Sequence, residues 1–96
     1  DVGLLDADAA VDAIDTWLLA HRDDPHRAAM LELRADTLLS RGGGCAEALP
    51  AYVALTAEAR GTALARAWTR TGQCAAQLGR TEQAAEAFDA ARSVAP

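Results

Sequence analysis

Trp68, Gly72 and Ala75 stand at i, i+4 and i+7, with Leu64 one turn before them and Leu78 one turn after. That spacing puts a single apolar strip along one face of a helix, which Gly79 then ends. After Gly79 and Arg80 come Thr81, a favoured N-cap type, and Glu82, whose negative charge suits the positive end of a helix dipole. On this second helix Ala84, Ala87, Phe88 and Ala91 repeat at helical spacing, and Pro96 falls where the helix should stop. Small residues at Gly72, Ala84 and Ala91 let two antiparallel backbones approach closely, while Trp68 and Phe88 fill the remaining volume. The stretch from Leu64 to Pro96 therefore predicts a short-looped helical hairpin with Trp68 as its buried anchor.

In its spacing of Trp68, Gly72, Ala84, Phe88 and Pro96 the stretch resembles the tetratricopeptide repeat, a helix-turn-helix unit of about 34 residues. It departs from that pattern at Thr71, where leucine is usual, and at Ala75, where an aromatic is usual, and both changes reduce core volume. The resemblance implies an all-α fold in which antiparallel hairpins stack as a short right-handed solenoid.

The same unit recurs earlier in the chain. Ala48 and Tyr52 precede Ala84 and Phe88 by 36 positions, and Ala35 precedes Gly72 by 37, one extra residue that the Gly42 to Gly44 turn would absorb. Asp24 as N-cap and Pro25 at the first helical position open a helix running to about Arg41, with Ala28, Leu31, Ala35, Leu38 and Leu39 as its stripe. A further helix from Ala46 to about Arg60 turns Ala48, Tyr52 and Leu55 inward, carries Pro50 near its first turn, and has Gly61 as its C-terminal cap. Thr62 caps the helix that carries Trp68.

Before these lies a helix from about Asp6 to His21 whose Ala10, Ile14 and Trp17 are spaced like Ala84, Phe88 and Ala91. Residues 1–96 thus form one domain of five helices: a half repeat at 6–22, a repeat at 25–61 and a second at 62–96. Arrays of this kind bury each unit only against its neighbours, so two and a half repeats leave little to spare.

The alanine-rich composition, with few aromatics, favours helix over sheet. Formal net charge is -5, which argues against nucleic acid as the main partner because phosphate neutralisation needs a basic face. The charge is uneven: residues 1–24 hold seven Asp and one Arg, whereas residues 25–80 hold seven Arg and four acids. All nine basic residues are arginine and the chain has no asparagine, a bias that fits a GC-rich bacterial genome. Neither an apolar run long enough for a membrane span nor a signal-peptide pattern is present, so a cytoplasmic setting is expected. The first residue is Asp1 rather than methionine, compatible with a segment of something longer, including one from which a targeting sequence was removed.

No constellation points to catalysis, and neither a metal nor a cofactor is expected. His21 and His26, separated by Pro25, do not share a helical face as a metal pair would. Cys45 falls in a turn and Cys74 on a helix with no second cysteine near either in sequence, so Cys74 reads as a small buried hydrophobe and Cys45 as an ordinary turn residue. Asp8, Asp12 and Asp15 line up along one helix without the loop that wraps calcium, and read as a solvated face. The glycines at 42–44 lack the Lys-Ser or Lys-Thr of a phosphate loop.

A surface remains. Arg66, Arg70, Gln73 and Gln77 recur at i, i+4, i+7 and i+11, opposite the Trp68 strip, and Ala29, Leu33, Asp36 and Ser40 hold the equivalent places one repeat earlier. By the resemblance, these eight residues line a concave groove that takes an extended peptide or a partner helix. Arg66 and Arg70 are similar to the basic pair with which some family members grip a peptide carboxylate, although the asparagines that complete such a clamp have no counterpart. The expected function is a non-enzymatic protein-protein interaction scaffold. The alternatives are a self-associating module, as a homodimer or array, and a regulatory or accessory domain of a larger protein.

Overall fold

The computed structural model describes the backbone of residues 2–94 and the side chains of residues 7–94. Five α-helices follow one another: α1 Val2–Ala20, α2 Arg27–Ser40, α3 Gly44–Thr56, α4 Gly61–Gln77 and α5 Thr81–Val94. Among the described residues there is no strand. Each helix packs against the next in the chain, α1 on α2, α2 on α3, α3 on α4 and α4 on α5. The molecule measures 38 × 30 × 17 Å, and its radius of gyration of 13.7 Å exceeds the ~12.5 Å typical of a compact chain this long. It is a flattened slab rather than a ball.

The core lies at the centre of this row. Ala35 and Leu38 from α2, Ala48, Leu49, Tyr52 and Leu55 from α3, and Ala67, Cys74 and Ala75 from α4 are all buried, with Val11 of α1 and Ala84 of α5 closing the cluster. Most members are small, so the helices approach closely and large side chains are few. At Gly72 that closeness is extreme: a Cβ there would stand 2.8 Å from the ring of Phe88. Among the described residues Thr71 is the one buried polar residue, and its hydroxyl donates to the Ala67 carbonyl at 2.7 Å, which leaves its donor satisfied.

Gly79 ends α4 as expected, and the reason is visible in the backbone. With φ at +80° it lets the Arg80 amide reach the Ala75 carbonyl at 2.8 Å and its own amide reach Ala76 at 3.1 Å, a Schellman closure. Other expected boundaries shift. α1 starts at Val2, four residues before the expected start near Asp6. The Asp24 carboxylate does accept from the His26 amide at 2.8 Å, but Pro25 and His26 form a turn and the α-helix begins at Arg27. α3 ends at Thr56, and Gly61, with φ at +60°, opens α4 instead of capping α3. The α4 N-cap position is Arg60, so Thr62 does not cap. Thr81 is the first residue of α5 rather than its cap. Trp68 is half-buried, not the enclosed anchor that the spacing suggested. The role expected of Pro96 lies outside the described residues.

Two larger corrections concern charge and sulfur. Asp15 accepts from Arg34 at 2.6 Å and Asp8 pairs with Arg41, so the face of α1 read as solvated is fastened in part to α2. The pairing is a matter of register: Asp8 and Asp15 are seven apart, as are Arg34 and Arg41, and antiparallel helices bring the two sets together. Cys45 and Cys74, which looked isolated, form a disulfide with 5.0 Å between their Cα atoms, tying α3 to α4. Cys45 is buried, not an ordinary turn residue, because it sits in the first turn of α3 and faces α4.

Candidate functional site

All eight residues expected to line a groove are exposed, four on α2 and four on α4. Helical geometry explains why they emerge together. Ala35 and Leu38 face the core of α2, and Ala67, Thr71, Cys74 and Ala75 face that of α4, so the stripes around Leu33 and Arg70 fall on the far sides.

The centre of the surface is a cluster of charges shared by α2, α3 and α4. Arg66 on α4 donates through Nε and Nη2 to the two carboxylate oxygens of Glu32 on α2, at 2.9 and 3.0 Å. This fork is the strong, directional form of a charge-assisted hydrogen bond. It holds the Glu32 carboxyl below its ordinary range, with a further contribution from the Arg70 charge, and raises Arg66. Beside it the Tyr52 hydroxyl, on a fully buried side chain of α3, donates to the Asp36 carboxylate. Burial, and then the Asp36 bond, push the tyrosine well above its usual value, so it stays a neutral donor.

Arg70 lies beside this cluster but is held differently. Its Nη1 donates to the neutral Gln73 Oε1 at 3.3 Å, and it makes no ion pair among the described residues. Ala65, Arg66, Thr69, Arg70 and Gln73 line an open depression of about 330 Å³ on α4. Leu33 on α2 is 50% exposed.

The structure thus gathers Asp36, Arg66, Arg70 and Gln73 into one neighbourhood, with Leu33 one turn before Asp36 on α2. The other three are separate. Ala29 stands in the first turn of α2, Ser40 turns its hydroxyl back to the Thr37 carbonyl at 2.9 Å, and the Gln77 amide lies 3.3 Å from Cys45 Sγ, over the disulfide. Sequence reasoning missed Glu32 and Tyr52. The signal for Glu32 was present, since a residue at i+3 from Ala29 shares its face as well as one at i+4 does, and its charge opposes that of Arg66. The signal for Tyr52 was masked by its role as a core aromatic.

Among the described residues no group of three His, Cys, Asp or Glu side chains is placed to hold a metal ion, and no helix is long and apolar enough to cross a membrane. No protein-family model, curated protein or solved structure matches this chain.

Proposed function

We propose that this chain is a non-enzymatic interaction module whose exposed face on α2 and α4 binds a peptide segment or helix of another protein. Its helices are read as tetratricopeptide-like hairpins stacked in a short right-handed solenoid, with α2 and α4 as the first helices of successive repeats. Chain-order packing and the close approach of Phe88 to Gly72 support that stacking. The observation that carries the functional reading is the charge cluster. Two arginines, two carboxylates and a buried phenol converge from three helices on an exposed surface, where a structural need for them is small because surface ion pairs stabilise a fold little. Bidentate guanidinium groups suit carboxylate recognition.

The test is binding of partners captured from the source proteome by the chain and by its Arg66→Glu, Arg70→Glu variant, with helicity checked by circular dichroism. Loss of capture at unchanged helicity is the expected result. Equal capture by the variant would place binding elsewhere.

The disulfide bears on the setting. Such bonds persist in oxidising compartments and are rare in reducing ones, so an oxidising compartment fits Cys45 and Cys74 better than the cytoplasm that the sequence suggested. A second reading, self-association, is favoured by α1. Leu19 is 70% exposed there, and with Asp15, Leu18, Arg22 and Arg27 it lines an open depression of about 640 Å³. Light scattering over a range of concentrations separates the two readings.

A further inference from the structure

The depression at the end of α1 sets a pair of leucines between charges of opposite sign. Leu18 and Leu19 are adjacent in it, Asp15 stands three residues before Leu18, and Arg22 stands three residues after Leu19, in the turn that follows the helix. We propose that this patch is self-complementary and docks on the same patch of a second copy, the two α1 helices running antiparallel about a two-fold axis between Leu18 and Leu19. That operation exchanges the ends of the patch, so Asp15 of each chain meets Arg22 of the other while the leucines close the middle. The inference rests on the self-association reading above and names its surface, its partner and its symmetry.

Three observations carry it. First, Leu19 is 70% exposed, the most of any large apolar side chain among the described residues, and α1 stands at one end of the helix row. An exposed leucine on its own marks nothing. The charges on either side of this one select its occupant.

Second, those charges are incomplete in opposite senses. Arg27 is committed to Glu58, whereas Arg22 makes no ion pair among the described residues. Asp15 gives Oδ1 to Arg34 and leaves Oδ2 without a partner among the described residues. A uniformly acidic partner would gain Arg22 but be repelled at Asp15 and at Asp12 and Asp23, which also make no ion pair among the described residues. A uniformly basic partner would gain those acids and be repelled at Arg22. A second copy brings both signs in the order required.

Third, none of the eight residues expected in the groove lines this depression, so docking here leaves the face of α2 and α4 open. The contact is small, since Asp15 to Arg22 spans only about 10 Å at helical rise. The net charge of -5 on each copy also opposes approach. Both features make the dimer weak, with a dissociation constant on the order of 0.1 mM.

The test is the mass of the unaltered chain by sedimentation equilibrium at physiological salt, from about 10 µM to about 1 mM. The mass should rise from one chain toward two and stop there, because a two-fold contact closes on itself. Leu19→Asp, at an exposed position, should weaken the dimer at least about tenfold, since each dimer carries the change twice. Arg22→Asp alone and Asp15→Arg alone should each weaken it, and an equal mixture of the two should pair about as tightly as the unaltered chain. Circular dichroism checks the helicity of every variant. Because Asp15 also holds Arg34, a reading without substitution stands beside the swap: isotope-filtered NMR of mixed labelled and unlabelled chains should show Leu18 methyl groups of one chain against Leu19 methyl groups of the other.

A monomer at every concentration overturns both the self-association reading and this proposal. A dimer that tolerates Leu19→Asp, or that shows no contact between Leu18 and Leu19 of different chains, leaves self-association standing and overturns this surface. Growth beyond two chains overturns the two-fold arrangement. So does a mixture no tighter than either charge variant alone when both keep their helicity.

Discussion

Trp68 and Leu49 invert the order that their sizes suggest. Trp68 is the larger, yet it is only half-buried, while Leu49 on α3 is 2% exposed within the central cluster. Burial, not volume, sets the cost of truncation, since a cavity forms only where the surroundings enclose the site. Leu49→Ala should therefore lower stability by about 2–5 kcal/mol and Trp68→Ala by roughly half of the 3–5 kcal/mol usual for an enclosed aromatic. Urea unfolding followed by circular dichroism measures both. A larger loss at Trp68 than at Leu49 would mean that the core is centred on the α4–α5 hairpin instead. Thr71 and Ala75 explain why the core is placed where it is. Ala75 is completely buried and Thr71 nearly so, with no space beside them for a leucine or an aromatic, so close backbone approach and the disulfide take over the role of side-chain volume.

At the scale of elements the disulfide is the strongest single constraint. It joins α3 to α4 across a sequence separation of 29 residues. Closing a loop of that length removes chain entropy from the unfolded state equivalent to about 3–4 kcal/mol. That is a large share of the ~5–15 kcal/mol that typically holds a folded domain together. Thermal melts with and without a dithiol reductant should differ by on the order of 10–30 °C. Coincident melts would mean that the cysteines contribute only as small buried groups. The helices themselves were legible before any of this, because their apolar spacing, Gly79 and Asp24 act locally. What was not legible depends on which helix lies against which. Cys45 and Cys74 are far apart in the chain, and only the packing of α3 on α4 makes them neighbours. Arg34 and Arg41 look like surface charges until α1 brings Asp8 and Asp15 to them. The candidate site divides in the same way: the exposed stripes on α2 and α4 follow from periodicity, whereas the Glu32 to Arg66 and Asp36 to Tyr52 bonds require the tertiary fold.

For the whole molecule, packing in chain order has a dynamic consequence. A helix in the middle of such a row is held on both sides, and a helix at its end on one. Among the described residues α1 packs chiefly on α2 and is fastened there by exposed ion pairs and by the buried Val11 and Ile14. α3 and α4, by contrast, share the disulfide and most of the buried cluster. Opening of α1 should then need far less free energy than opening of the centre, so the chain should unfold in stages rather than at once. Native-state hydrogen exchange reads this directly. Amides in the middle of α3 and α4 should exchange only through global unfolding, while those around Val11 to Ile14 should exchange faster and with a weaker dependence on denaturant. Replacing Arg34 and Arg41 together by alanine should speed exchange in α1 and leave the central amides of α4 unchanged. If all five helices exchange with one free energy, and the double replacement shifts them equally, the slab is a single cooperative block and α1 is as integral to it as α3.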